Sequence, residues 1–143
     1  MWNYLTGLQL FKSIIMENLD IAVATMKKLR AYGVHIYLDD FGTGYSSLSY
    51  LHQFPVTALK IDRSFIRRMA NDQESKEIVR TIISLAQNLN MNVIAEGVEL
   101  ITELSDIKDM ECQYAQGYYF ARPMAAPDID VWIQKEDNIA VTD

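Results

Sequence analysis

The sequence predicts an α/β protein in which parallel strands alternate with helices. Two observations carry this prediction: short apolar runs rich in β-branched residues recur along the chain, and the segments between them show the three- and four-residue apolar spacing of amphipathic helices. Repeated alternation of this kind joins parallel strands through helical crossovers. The residues alone leave two architectures open, an open sheet and part of a (β/α) barrel.

The first half of the chain is predicted to contain a helix, a strand and a second helix. Asp20–Ala31 carries one apolar stripe, and Gly33 just beyond it is a typical C-cap. Val34–Leu38 is a short apolar run between that glycine and two aspartates, as expected of a buried strand. Ser46–Gln53 is predicted to form a helix that Pro55 ends.

The second half continues the alternation, which gives about four to five parallel strands in all. The predicted strands are Ala58–Asp62, Asn92–Glu96 and a short stretch within Tyr114–Phe120. The predicted helices are Glu74–Leu89, Thr102–Met110 and Pro127–Lys135. Glu74–Leu89 has the clearest helical pattern, because its apolar residues recur every three or four positions and acidic residues occupy its first turn.

Composition narrows the class of protein. The chain has 143 residues, 50% of them hydrophobic, which is enough to bury a core within one domain. A formal net charge of −6 argues against binding to nucleic-acid polymers or to anionic membranes. Cys112 is the single cysteine, which fits a reducing compartment, and no apolar run approaches the length of a membrane span. We therefore expect a cytoplasmic protein with no membrane anchor in this chain.

Polar residues collect at the ends of the predicted strands. They are Asp39 and Asp40, Lys60 and Asp62, Glu96 and Glu99, and Gln116. In a parallel array these ends lie on one face, where active sites form. Adjacent carboxylates with a third from a neighbouring strand favour Mg²⁺ or Mn²⁺, and a nearby lysine can hold a phosphate or a metal-bound water. The pattern predicts metal-assisted phosphoester hydrolysis.

Each of these signals also has a structural interpretation. The two aspartates and the glycines after them could form an ordinary turn, Lys60 could be solvated, and Gln116 alone means little. His35 and His52 are expected to be structural. The tyrosines and methionines are spaced as core residues.

Four motifs, in order and spacing, resemble one known family. The stretches are "LDDFGTGYSSLSYL", "ALKIDRSFI", "NVIAEGVE" and "QGYYFARPM". They resemble the C-terminal half of the EAL-domain phosphodiesterases of bacterial cyclic-di-GMP signalling, from about Ser13 to Trp132. The resemblance implies a modified TIM barrel and hydrolysis of cyclic di-GMP to linear pGpG with two Mg²⁺ or Mn²⁺ ions.

The same resemblance assigns roles to individual residues. Asp39 and Asp40 match the metal-binding pair, and Glu96 matches the glutamate tied to the second metal. Lys60 matches the lysine that holds the nucleophilic water, and Gln116 matches a glutamine near that water. Further matches are Asp62 and Glu99, near substrate or behind the metal ligands, and Gly42, Thr43 and Gly44, in the loop that couples metal binding to dimerisation.

The chain also departs from the family pattern. Its 143 residues lack the Glu-Ala-Leu strand, and Gln9 and Lys12 stand where the family has a metal-ligand glutamate and a loop-steadying glutamate. We therefore interpret residues 1–143 as a truncated EAL domain with a divergent segment at 1–12, a polar tail at 136–143 and little or no activity alone. The alternatives are a non-enzymatic module that senses cyclic di-GMP or binds a protein, and one portion of an enzyme shared between two polypeptides.

Incomplete closure of a barrel predicts association. Open strand edges and an inner face expected to be rich in Val, Ile and Leu would favour a homodimer or a partner protein. The apolar N-terminal stretch "MWNYLTGLQLF" is the rival, since it could cover one edge instead.

Overall fold

A five-stranded parallel sheet forms the centre of the protein. The computed structural model describes residues 7–10, 18–41 and 51–137, with the backbone alone at 7–10, 40 and 135–137. The strands are β1 (Gly7–Leu10), β2 (His35–Phe41), β3 (Ala58–Ile61), β4 (Asn92–Glu96) and β5 (Tyr114–Gln116). They lie side by side in chain order, and every neighbouring pair is parallel. The predicted parallel α/β architecture is confirmed.

Four helices pack on one side of the sheet, and a fifth follows the last strand. They are α1 (Leu19–Ala31), α2 (Arg63–Met69), α3 (Gln73–Asn88), α4 (Ile101–Asp109) and α5 (Ala126–Asp137). The short helix α2 was not predicted, and most of the helix predicted at Ser46–Gln53 lies outside the described residues. No helix in the described part of the chain is long and apolar enough to cross a membrane.

The N-terminal segment contributes an edge strand that the hydrophobic pattern alone did not predict. Gly7–Leu10 pairs with residues 35–38 of β2, and Gln9 stands opposite Tyr37. The rival expectation was that the N-terminal stretch covers one edge of the sheet. For Gly7–Leu10 this is the case, since these residues cover the edge of β2.

The two faces of the sheet differ in chemistry. Strand residues packed under the helices are apolar and almost fully buried: Ile36, Leu38, Leu59, Ile61, Val93 and Ala95. The alternate positions, which we call the inner face, carry mostly polar and aromatic residues: His35, Tyr37, Lys60, Asn92, Ile94, Glu96, Tyr114 and Gln116. The prediction of an inner face rich in Val, Ile and Leu is wrong, because the two-residue period of a strand sends those side chains to the helix side.

The core lies between the helices and this apolar side of the sheet. Its helical contributors include Met26 of α1, Phe65, Ile66 and Met69 of α2, Val79, Ile82, Ile83 and Ala86 of α3, and Leu104 and Ile107 of α4. Burying each large apolar side chain stabilises the fold by about 1.5–3 kcal/mol. Several methionines belong to this core as expected, but Tyr32, Tyr114, Tyr118 and Tyr119 are exposed, so core spacing was the wrong interpretation for these four tyrosines.

A β-bulge interrupts the pairing of β2 with β3. Leu38 stands opposite Leu59 and Phe41 opposite Ile61, so two residues of β2 face one residue of β3. The two residues are Asp39 and Asp40, and the one is Lys60. The adjacent aspartates therefore occupy a bulge, a feature that changes the direction of side chains relative to regular alternation.

Candidate functional site

Four neighbouring strands each bring one polar residue to the same end of the sheet. These residues are Asp39 of β2, Lys60 of β3, Glu96 of β4 and Gln116 of β5. Glu96 and Gln116 are direct partners in the register of β4 and β5. Since all the strands run parallel, the carboxyl ends meet along one edge, and a polar cluster forms there, in which Asp39 and Lys60 are buried, Glu96 is half-buried and Gln116 is exposed.

Lys60 is the centre of this cluster. Its residue is only 4% exposed, and Nζ lies 2.5 Å from Oε1 of Glu96 and 3.5 Å from Oδ1 of Asp39. A buried ammonium is costly unless carboxylates compensate it. The alternative of a solvated lysine therefore does not describe this residue.

Gln116 contacts the same carboxylate of Glu96. Its Nε2 donates a hydrogen bond of 2.7 Å to Oε1 of Glu96, the oxygen that also faces Lys60. Two donors on one oxygen fix the orientation of the Glu96 side chain.

An open cleft of about 620 Å³ lies beside this cluster. Its polar and aromatic lining comes from Arg63, Arg67, Glu99, Gln116, Tyr118, Arg122 and Trp132. The guanidinium of Arg122 stacks 4.8 Å from the ring centre of Tyr118. Sequence reasoning missed the three arginines; the run "RSFIRR" directly after a strand-end aspartate was the available signal for Arg63 and Arg67, and Arg122 lies in the motif "QGYYFARPM".

The part of the chain that carries the polar cluster and most of the cleft matches one protein family. The model of the EAL domain family matches residues 7–123. The chain belongs to the EAL domain family.

Curated relatives of this EAL domain are longer proteins. It is 48% identical over 116 residues to an uncharacterised protein of Azorhizobium caulinodans and 40% identical over 127 residues to the cyclic di-GMP phosphodiesterase NbdA of Pseudomonas aeruginosa. These matches cover 81% and 89% of this chain, but the chain spans only 16% of the length of each relative.

Solved structures of the family share the fold. The phosphodiesterase MucR of Pseudomonas aeruginosa in complex with cyclic di-GMP matches with a TM-score of 0.80 and 40% identity, over 86% of this chain and 50% of that one. Klebsiella pneumoniae BlrP1, in a complex with manganese and cyclic di-GMP, matches with a TM-score of 0.74 and 29% identity, over 82% and 30% of the two chains. The predicted partial TIM-type barrel is confirmed by these neighbours.

Two predicted site residues of the EAL domain contact helix α2. Oδ1 of Asp62 accepts a hydrogen bond of 2.8 Å from the backbone N–H of Ser64 and so caps α2, and Glu99 forms an ion pair with Arg67. Burial acts to raise the pKa of Asp62, but the hydrogen bonds from Ser64 and the nearby arginine charges outweigh it and hold that pKa below its ordinary value. Asp62 is thus a helix cap, whereas Glu99 also lines the cleft.

Other predicted site residues are described only in part or lie outside the described residues. Lys12, Gly42, Thr43 and Gly44 lie outside the described residues, and Gln9 is described by its backbone within β1. The side chain of Asp40 is likewise outside the description, although its backbone belongs to the bulge.

The donor chemistry of the cluster suits a hard divalent cation. Carboxylate oxygens of Asp39 and Glu96 converge on one point, where Nζ of Lys60 lies in this structure. Among the described side chains, no group of three or more His, Cys, Asp or Glu residues is arranged to hold a metal ion. Asp40 is a further carboxylate next to Asp39 in the sequence, and its backbone belongs to the bulge.

Proposed function

We propose that these residues form the lysine-containing half of a cyclic-di-GMP phosphodiesterase site in a cytoplasmic signalling protein. The observation that carries the proposal is the buried contact of Lys60 with Glu96 at the carboxyl ends of the strands. The relatives support the substrate class, since NbdA is named a cyclic di-GMP phosphodiesterase and MucR was solved with cyclic di-GMP bound.

Each residue of the cluster has a role in this proposal. Asp39, Asp40 and Glu96 would hold Mg²⁺ or Mn²⁺, which when bound lowers the pKa of water and neutralises charge on the phosphodiester. BlrP1, solved with manganese, supports this cofactor class. The ammonium of Lys60 holds the nucleophilic water, and the carboxylates of Asp39 and Glu96 fix its position. Gln116 keeps Glu96 in place.

We further propose that the polypeptide of these 143 residues does not turn over cyclic di-GMP by itself. Gln9 and Lys12 replace two carboxylates that the family resemblance places near the metals. A neutral amide is a weaker ligand for a hard cation than a carboxylate, and a lysine repels it. Two metal ions about 3.5–4 Å apart, as in-line displacement requires, are therefore not expected.

A non-enzymatic module is the second candidate, and the open cleft favours it. Three arginines and two aromatic residues line a space of about 620 Å³, which is large enough to take a small anionic ligand without hydrolysing it. Retained binding without turnover is the behaviour that separates this candidate from an enzyme.

One experiment tests both candidates. The pure protein is incubated with cyclic di-GMP and Mn²⁺, linear pGpG is quantified by chromatography, and binding is measured by calorimetry with and without the metal. We expect no pGpG above background. Metal-dependent pGpG formation that disappears in Asp39→Ala would show that the chain is an active enzyme. Binding that survives in Asp39→Ala without metal would support the non-enzymatic module.

For partners, we propose that two copies associate through their inner faces. A hollow of about 450 Å³ on this face is lined by His35, Tyr37, Thr57, Ala58, Asn92, Ile94, Tyr114, Ala115 and Gln116. The chain matches half of the MucR chain, so a second copy offers surface of about the extent that a whole EAL domain would provide.

A further inference from the structure

We infer that Gly117 is a positioning residue of the site, because it allows the loop after β5 to lie directly on the loop after β4 and so brings Gln116 against Glu96. The inference rests on the proposed function only where it says what the contact between Gln116 and Glu96 is used for. Its geometry is independent of whether the chain hydrolyses anything.

Two backbone hydrogen bonds join the loops on either side of Gly117. The N–H of Val98 donates to the carbonyl oxygen of Gln116 at 3.1 Å, and the N–H of Tyr119 donates to the carbonyl oxygen of Val98 at 3.0 Å. Val98 is fully buried, so these bonds are shielded from competing water. The loops are therefore paired through a single residue of the β4 loop.

Gly117 sits where this pairing leaves no room for a side chain. A methyl group at position 117 would overlap the backbone N and O atoms of Val98. A flexible side chain could rotate away from such an overlap, but backbone atoms cannot. Any other residue at 117 must therefore push the two loops apart.

The loop after β4 is held from its other sides. The carboxylate of Glu103, which is buried, accepts hydrogen bonds of 2.8 and 3.0 Å from the backbone N–H groups of Glu99 and Leu100. Gly97, with a φ of +71°, packs on the side chain of Arg63. Because this loop is fixed, a displacement caused at position 117 is taken up on the β5 side, where Gln116 is the residue directly before it at the end of the strand.

Lys60 reports such a displacement from a distance. Oε1 of Glu96 faces both the ammonium of Lys60 and the amide of Gln116. Loss of the amide contact therefore changes the surroundings of the ammonium, although Lys60 lies two strands away from Gly117.

The experiment follows the Lys60 ammonium signal by ¹H–¹⁵N NMR, assigned by its loss in Lys60→Met. We expect Gly117→Ala to shift this signal in the same direction as Gln116→Leu. Gly33→Ala is the matched control: Gly33 has a positive φ, +81°, as Gly117 does, +158°, but a Cβ at Gly33 meets nothing within 4 Å. This control should leave the Lys60 signal in place.

A folded Gly117→Ala protein with an unchanged Lys60 signal would overturn the inference. If Gly117→Ala does not fold, hydrogen exchange of the unaltered protein decides instead. The N–H groups of Val98 and Tyr119 should then exchange at least about tenfold more slowly than exposed loop amides. Exchange of either group at the exposed rate would overturn it equally, whatever the hydrolysis assay finds.

Discussion

Lys60 and Lys76 each approach a carboxylate at a similar distance, 2.5 Å to Glu96 and 2.6 Å to Asp106. Their surroundings differ, since the side chain of Lys60 is 5% exposed and that of Lys76 is 27% exposed. Removing one partner of a buried ion pair leaves the other charge buried and uncompensated. We therefore expect Lys60→Met to lower the free energy of unfolding by about 3 kcal/mol. Lys76→Met should cost less than about 1 kcal/mol.

Urea unfolding of the two variants measures this difference. Equal losses would contradict it, because they would mean that burial adds nothing to the Lys60 pair.

For single residues, the sequence was enough to predict which polar side chains lie near one another, but not how deeply each of them is buried. The ends of the predicted strands named Asp39, Lys60, Glu96 and Gln116 as neighbours, because parallel strands share one carboxyl edge. Whether Lys60 is solvated or buried depends on what the neighbouring strands place around it, which the sequence around position 60 does not contain. The cap at Asp62 was missed for the same reason, since it depended on an unpredicted helix.

The start of α2 yields a prediction that depends on pH. Asp62 has a pKa below its ordinary 3.8, so its ionised form stabilises the folded protein at neutral pH, and this contribution is lost as the pH falls below 3.8 through the lowered value. Asp62→Ala should cost about 1 kcal/mol at pH 7, and the difference from wild type should shrink in acid.

Asp62→Asn is the matched control, because asparagine still caps the helix but does not titrate. We expect it to retain most of the stability at pH 7. Chemical unfolding monitored by circular dichroism between pH 7 and 3 measures all three proteins. A loss in Asp62→Ala that stays constant over this range would contradict a contribution from the ionised carboxylate.

Among the elements, long patterned segments were predictable and short ones were not. Helix α3, with 16 residues, shows its apolar stripe clearly, whereas α2 has only seven residues, too few for a period to stand out. β1 has four residues, and its place is set by pairing with β2 rather than by its own composition. Tertiary contacts therefore decided the elements that the sequence missed.

For the molecule as a whole, the open inner face predicts association between copies. Tyr114 lies on this face and is 54% exposed, while Tyr32, after α1, is 86% exposed. Light scattering at micromolar concentration should give a dimeric mass. Tyr114→Lys should shift the protein towards monomer, because a charge is costly in a covered face, and Tyr32→Lys should not.

A monomeric wild-type protein with a cooperative thermal transition would reject the dimer. It would indicate that the pairing of β1 with β2 is enough to keep a single copy of the sheet folded.

The alternation of strands and helices was enough to predict the overall class, and the four motifs were enough to predict the family. The chemistry of the inner face was predicted wrongly, since "VHIYL" and "NVIAE" were treated as uniform apolar runs. In the structure the odd and even positions of each run separate between two faces, and the helices take the apolar set.

The bulge in β2 makes the aspartate pair separable from the fold. In a regular strand, residues on the same face have an odd number of residues between them. Two residues separate Leu38 from Phe41, and yet the side chains of Leu38 and Phe41 are both buried in the apolar layer. Deleting the codon for Asp40 would restore an even phase and leave Leu38 and Phe41 where they are. A lineage could therefore lose one carboxylate in a single in-frame step and keep its core, so that chemistry here erodes independently of foldability.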